Sequence, residues 1–564
     1  MTTLAALRVE VLVGMLLSYL CAAAVWPPPQ SLALRGDPIP LSAEFRAALP
    51  HALGDMTNRS SGSSRLLRAI DRFNLLLAPQ RRLAVETAVD RESALRRVDV
   101  VVANMDGESL SMRTNYSYRL RVLGSHSATI TAPSIYGAMY GLETLAQLID
   151  IDRGVVVASS VDVVDAPDYA WRGLLIDAGR RFAPVPLLEN IITTMAAVKL
   201  NVLHLHVTDF CRFGVESLRF PNLTAGLGPL TSSGAANPLS GYYTQKDIKA
   251  LIAFAADRGV RVVPEFEMPG HALGFLPIAS AGGLEFCATC AYGPTGDGSK
   301  NTCKPSQLWG TNGTVRVLKA VLGEMVELFT DEVFHIGADE TFVKSGAGER
   351  CTEDGTTFVE KEIVNAVTDD FGKTPAGWEQ VLFKTGAATN ETIVYAYMSG
   401  AGEVTARGRR AVVSNGTTLY FTTAAPGGPS GWSKLWYDIG FDVPNEGPEK
   451  SLLLGGEMSM WTDTYCSPRE CGAMPAYHVE KGGALFNRTH DAAYSQSLGG
   501  MIWPRGFVGA AAFWNFNGSS DASSGAFVSA IWELNDRLTA RGALLCPTNC
   551  SCDQMTACGK PYLR

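Results

Sequence analysis

The hydrophobic positions of this chain follow two regimes. Up to about residue 168, short strand-like runs alternate with helical ones, ending in a strand pattern over 127–132 and an amphipathic stretch over 135–148. From Trp171 onward, apolar runs of strand length alternate with segments of helical period. Residues 173–177 (Gly-Leu-Leu-Ile-Asp) read as a strand buried on both faces. Leu187, Leu188, Ile191, Ile192, Met195 and Val198 then recur at helical spacing, with Pro186 near the first turn. A strand over 201–207, a helix over 244–258 stopped by Gly259 and a strand over 260–264 follow, then a helix near 314–329 and a strand over 333–337. Shorter candidates over 374–377, 392–397, 411–414 and 452–456 bring the strands to eight. Eight strands separated by helices predict an α/β protein with a (β/α)8 barrel, preceded here by a small α+β domain. The turn-forming Asp165-Ala166-Pro167-Asp168 marks the boundary, which gives domains at 27–168 and 169–545 and a Cys-rich tail at 546–564.

The 564 residues leave room for two cores, since one core rarely grows beyond about 300 residues. With 46% hydrophobic and 18% charged residues the composition is that of a globular protein. A formal net charge of -8 and the lack of a basic stripe exclude nucleic acid as a partner. Arg8, an apolar run to Trp26, the small residues Cys21 to Ala24 and Pro27-Pro28-Pro29 read as a cleavable signal peptide at 1–26, with an uncleaved anchor as the alternative. Asn58, Asn115, Asn222, Asn312, Asn390, Asn415, Asn487, Asn517 and Asn549 each begin an N-x-S/T sequon. Together these features predict a glycosylated protein of the secretory pathway, bound for a lysosome, a vacuole or the outside of the cell. Of twelve cysteines, eleven lie beyond the leader and suit an oxidising compartment, one of them unpaired.

Polar residues gather where the first four barrel strands end: Arg172 and Asp177, then His204, His206 and Asp209, then Glu265, Glu267 and His271, then Asp339 and Glu340. The C-terminal strand ends of such a barrel form its active site. Singly, each residue would serve as well as a helix cap or a supporting hydrogen-bond partner. Together they exceed what caps require. No metal cluster of plausible spacing, phosphate-binding loop or dinucleotide fingerprint competes in the sequence, and no cofactor or metal is expected.

These residues carry a family resemblance. Arg172-Gly173-Leu174-Leu175-Ile176-Asp177 with Arg180, Phe182 and Pro184 resembles the opening of the glycoside hydrolase family 20 barrel. So do Lys199 through Asp209, Pro264 through His271, and above all His335-Ile336-Gly337-Ala338-Asp339-Glu340, which is similar to the family's H-x-G-[GA]-D-E signature. The blocks around Trp461 and Trp503 extend the likeness, which spans roughly residues 125 to 545. It implies a β-N-acetylhexosaminidase that removes terminal N-acetylhexosamine from glycans. In that mechanism the substrate's own 2-acetamido oxygen attacks the anomeric carbon. Glu340 would be the general acid and base, and Asp339 would orient the acetamido group.

The same resemblance assigns Arg172 to the sugar hydroxyls, places Asp209, His271 and Glu265 in or near contact with the sugar, and builds an acetamido wall from Trp378, Trp461 and Tyr420. Tyr397 stands where the family commonly has Trp, and Asp463 where it commonly has Glu, so the preference between gluco and galacto sugars is open. Cys287 with Cys351, Cys290 with Cys303 and Cys466 with Cys471 are the disulfides it suggests, and Cys211 the unpaired thiol. Glycans are the expected partners, and a homodimer stays open. Two other readings compete. One is a relative specialised for N-glycan trimming or disaccharide release, and the other is a silent glycan-binding barrel, against which the presence of both Asp339 and Glu340 argues.

Overall fold

The computed structural model describes residues 25–50, 61–78, 93–105, 109–125, 127–209, 212–225, 227, 241–286, 307–341, 353–421, 429–444, 447–462, 498–516 and 521–545. All twelve cysteines, including the six proposed disulfide partners, lie outside these residues, as do Asp463 and the sequons at Asn58, Asn487, Asn517 and Asn549.

The N-terminal unit is a mixed sheet. Its strands are β1 (Ser31–Arg35), β2 (Ile39–Ala48), β3 (Leu95–Asn104), β4 (Tyr118–Leu123), β5 (Ser127–Ser134), β6 (Ile149–Asp150), β7 (Val155–Val156) and β8 (Ser160–Asp165), in the order β1-β8-β4-β5-β3-β2-β7-β6. Strict alternation of buried and exposed residues in β4 gives the sheet one wet face and one covered face. Helices α1 (Ser61–Leu76) and α2 (Ile135–Gln147) cover it, and α2 starts where the Ser134 hydroxyl accepts from the Gly137 N–H at 3.1 Å. Val25 and Trp26, which the sequence pattern places in the leader, are buried here, and the Trp26 indole donates to the Phe507 carbonyl at 2.8 Å. These two residues, ahead of the boundary expected at residue 27, are packed into the fold.

The second unit is a closed, all-parallel, eight-stranded barrel: β9 (Trp171–Asp177), β10 (Val202–Thr208), β11 (Arg261–Met268), β12 (Val333–Gly337), β13 (Thr374–Trp378), β14 (Ile393–Ala396), β15 (Arg410–Val413) and β16 (Leu453–Met460). Around it lie α3 (Val185–Ala197), α4 (Gln245–Ala256), α5 (Asn312–Leu328), α6 (Glu353–Asn365), α7 (Arg505–Trp514) and α8 (Gly525–Ala540). Side chains alternate across each strand. Leu174 and Ile176 of β9 therefore join the core shared with the helices, while Trp171 and Leu175 join the barrel interior with Val202, Val263, Val333, Tyr395 and Val412.

Two strands run further than their sequence pattern suggests. β11 continues past Pro264, because a proline forfeits only one N–H and its neighbours still pair. β16 continues past Gly455-Gly456, whose glycines reflect close approach rather than a strand end. A Cβ at 455 would come within 2.0 Å of the Trp171 carbonyl, and one at 456 within 2.3 Å of the Phe513 ring on α7. Both extensions carry carboxylates, Glu265 and Glu267 on β11 and Glu457 on β16, into the barrel.

Candidate active site

The strands end in a connected set of charges. Asp177 closes β9, and its carboxylate accepts from the Arg180 backbone N–H and guanidinium, both at 2.9 Å. The other end of that guanidinium lies 2.9 Å from Asp209, just past β10, and its carbon is 5.1 Å from the Trp461 ring centre. His206 bridges Asp209 (3.1 Å) and Glu265 (2.6 Å). His271 Nδ1 is 3.2 Å from the same Asp209, and its Nε2 is 3.1 Å from Glu340. An unbroken line of contacts thus runs from Arg180 through Asp209 and His271 to Glu340. An imidazole that meets a different carboxylate at each ring nitrogen is held in one orientation.

Glu340 sits on a contorted turn. Gly337, Ala338 and Glu340 have φ of 72°, 70° and 48°, and His271 opposite has 46°. Such values are costly for residues with a Cβ and gather at functional loops. Beneath the turn lies Glu267, whose backbone N–H is held by the Thr208 hydroxyl at 2.7 Å and whose carboxylate accepts from the Ala338 N–H at 2.9 Å. A Cβ at 337 would fall 1.8 Å from Glu267 Oε2, so only glycine fits there. Asp177, Asp209 and Glu265 are sealed from solvent, whereas the side chains of Asp339 and Glu340 are 17% and 38% exposed. Within the set, these two carboxylates face the mouth.

Beside them stands an aromatic wall. The Trp378 ring centre lies 5.6 Å from those of Tyr397 and Trp461, and the Tyr420 ring is 5.8 Å from Trp461 and 6.1 Å from Tyr397. Trp378 is fixed by donating to Glu265 at 2.8 Å. The Tyr397 hydroxyl accepts from Gln380, and the loop beyond it is tied to one oxygen of Glu379, which accepts from the N–H groups of Tyr397, Met398 and Ser399 and from the Ser399 hydroxyl.

Burial alone would raise the carboxyls of Asp209 and Glu265. Arg180, His271 and His206 outweigh it for Asp209, as His206, His335 and His204 do for Glu265, and both acids are held far below the ordinary range. His204 is pushed the other way: burial is overcome by Glu457 and Glu265, and it rises to about 9. Glu267 has no cation to offset its burial, and Asp339 and Glu265 face it, so its carboxyl rises well above the usual range. Burial and Asp339 likewise raise the Tyr420 hydroxyl, which keeps it a donor.

Two buried trios, His204-Glu265-His335 and His206-Glu265-Glu267, bring potential metal-ligand atoms within 4.8 Å of one another. Both depend on Glu265, whose oxygens already meet His206, Trp378, His335 (3.1 Å) and His204 (3.3 Å).

Of the residues proposed from sequence, Glu340, Asp339, Asp209, His271, Glu265, Trp378, Tyr397, Tyr420 and Trp461 come together here. Arg172 does not. It has the outward parity of Leu174 and lies near the N-terminal end of β9, where its guanidinium donates to the carbonyls of Lys199 (2.9 Å) and Tyr169 (2.7 Å) and rests against Tyr116 and Trp514. The cation at the mouth is Arg180. Its signal was present in the sequence: it follows the C-terminal end of a barrel strand, whereas Arg172 precedes most of that strand.

Residues 169–474 match the family described as "Glycosyl hydrolase family 20, catalytic domain". The chain belongs to glycoside hydrolase family 20. Residues 25–148 match "beta-acetyl hexosaminidase like". The family 20 chain is 28% identical over 460 residues to β-hexosaminidase subunit A2 of Dictyostelium discoideum, covering 78% of each chain. It is 27% identical to β-hexosaminidase 3 of Arabidopsis thaliana, covering 78% and 80%. Its fold resembles the chitobiase of Flavobacterium johnsoniae with a TM-score of 0.66 at 21% identity, over 92% of this chain and 73% of that one. This family 20 protein is a glycoside hydrolase.

Proposed function

We propose that the enzyme is an exo-acting β-N-acetylhexosaminidase that retains anomeric configuration and uses the 2-acetamido group of its substrate as the nucleophile. The observation that carries this reading is the pairing of Asp339 and Glu340 on one turn beside a wall of four aromatic rings. Most retaining glycosidases need a second carboxylate placed to attack the anomeric carbon. Here the adjacent Asp339 would accept from the acetamido N–H and stabilise the cationic oxazolinium ion, while the rings enclose its methyl group. Glu340, oriented by His271, would protonate the leaving oxygen and then activate water. Arg180 would take the sugar hydroxyls in the role that sequence assigned to Arg172.

Glycans with terminal N-acetylhexosamine are the substrates this reading implies. The secretory route belongs to the same reading. Its support is the run of sequons, four of which, at Asn115, Asn222, Asn312 and Asn390, are exposed, while Asn415 is half-buried and accepts from Thr417.

The test pairs a substitution with an inhibitor. Glu340→Gln is expected to lose hydrolysis of natural glycosides far more than of aryl glycosides with acidic leaving groups, since only the former need protonation. A cyclic thiazoline that mimics the bicyclic intermediate should bind much more tightly than substrate. Trapping a glycosyl ester on any carboxylate with a fluorosugar would refute the acetamido mechanism.

A further inference from the structure

Glu267 contributes no group to the chemistry described above, yet its carboxyl lies directly under the turn that carries it. Oxygen Oε1 is satisfied by the Ala338 N–H at 2.9 Å. Oxygen Oε2 is buried and meets no donor. A carboxylate oxygen sealed from water without a donor keeps the full cost of its lost hydration. The groups facing it make the problem worse. Asp339 approaches from the end of β12, Glu265 from two residues back on the same face of β11, and Asp209 from beyond β10, all acids. The nearest cation-forming group, His206, is already shared between Glu265 and Asp209. A buried carboxyl oxygen that meets no donor and faces other acids is reconciled when the carboxyl carries a proton.

We propose that Glu267 is a positioning residue that keeps its carboxyl proton and donates it to Asp339, so that Asp339 stays ionised with its other oxygen aimed at the substrate. Burial and the three facing carboxylates work in the same direction, raising Glu267 well above the usual range. The backbone is built around this contact. Gly337 is the only residue type that leaves room for Oε2, and Thr208 pins the Glu267 backbone from below. Proton count and charge balance: one proton is shared by Glu267 and Asp339, the pair carries a single negative charge, and that charge rests on the residue nearer the substrate. The arrangement gives Asp339 a fixed orientation before substrate arrives, which is what electrostatic preorganisation requires.

The kinetic part of this proposal rests on the hexosaminidase reading, and the spectroscopic part does not. Glu267→Gln preserves an acceptor for Ala338 and presents an N–H to Asp339. Glu267→Met fills similar space with neither. With an aryl N-acetylglucosaminide, Glu267→Gln should keep kcat/KM within about threefold, whereas Glu267→Met should lose about a hundredfold, nearly all in kcat. Infrared difference spectra on protein labelled with carbon-13 glutamate should show the carbonyl band of a protonated acid at neutral pH, present in the parent and absent in Glu267→Gln. The subtraction separates Glu267 from Glu360, another buried glutamate, which is pushed up to about 7.

The band missing from the parent, the band unchanged in Glu267→Gln, or Glu267→Gln as impaired as Glu267→Met would each overturn the proposal. A parent enzyme that cleaves no N-acetylhexosaminide would instead remove the hexosaminidase reading, and the infrared band would still decide where the proton is.

Discussion

Arg180 places its guanidinium between two sealed carboxylates at the barrel mouth, while Arg172, one strand length earlier, spends its donors on backbone carbonyls at the opposite end. The difference is checkable. Arg180→Lys keeps the charge but loses the planar fork that reaches Asp177 and Asp209 together, so KM should rise about tenfold or more with little change in melting temperature. Arg172→Met leaves two buried carbonyls without donors and removes its contacts with Tyr116 and Trp514. It should destabilise by roughly 2–4 kcal/mol and leave KM alone. The reverse pattern would return Arg172 to the site. Asp339 and Glu340 were legible in the sequence because they are neighbours in one motif. The choice between the two arginines was not read from the motif, because it turns on place along the strand: Arg172 sits near the start of β9 on its outward face, whereas Arg180 lies past its C-terminal end, and a motif lists both without saying where the strand stops.

At the scale of the element, the turn after β12 is where the backbone yields most to the site. Gly337 combines φ of 72° with a Cβ position occupied by Glu267. Gly337→Ala should therefore cost roughly 2–4 kcal/mol from strain and overpacking together, and should reduce activity in the folded fraction by displacing Asp339 and Glu340. An alanine variant with unaltered melting temperature and kcat would show that Glu267 can move aside. The barrel strands themselves could be read from their apolar runs, since strands buried on both faces lose the polar alternation that would otherwise blur them. Their ends could not. Pro264 and Gly455-Gly456 look like punctuation in one dimension, and only the packing of Trp171 and Phe513 against β16 shows that the glycines make room for neighbours. Glu457 and its contact with His204 at 2.8 Å stayed hidden for the same reason.

For the whole molecule, buried charge ties the two units together and also sets how stability depends on pH. Lys199, at the barrel's lower end, donates to Asp165 at 2.7 Å and to the Tyr118 hydroxyl at 2.9 Å, and the Trp514 indole donates to the same Asp165 at 2.9 Å, joining sheet, barrel and α7 in one sealed cluster. Within the barrel, His204 is raised from 6.5 to about 9, the attraction of Glu457 and Glu265 exceeding the cost of burial. A group whose folded pKa is raised stabilises most below its unfolded value, and that contribution disappears as pH climbs through the folded one. His204 therefore loses its share between about pH 6.5 and 9.

Glu360, raised by burial from 4.5 to about 7 despite hydrogen bonds from Thr385 and Thr341, loses its share over a lower window, between about pH 4.5 and 7. Asp209 and Glu265 act oppositely. Their folded values are depressed by the arginine and histidines around them, so their contribution is full above the ordinary carboxylate range and is lost as pH falls. The sum is a stability maximum in the acid range, near pH 4 to 5 by the windows above, with a decline toward pH 9 and a second one below about pH 4. Thermal denaturation followed from pH 3 to 10 should trace this curve, and Glu360→Gln should flatten its slope between about pH 5 and 7 while leaving the fall toward pH 9, to which the raised His204, His206 and Glu267 contribute, in place. A melting temperature that climbs steadily from pH 6 to 9 would mean that His204 is neutral in the folded protein and that the barrel interior is not held by the ion pairs described.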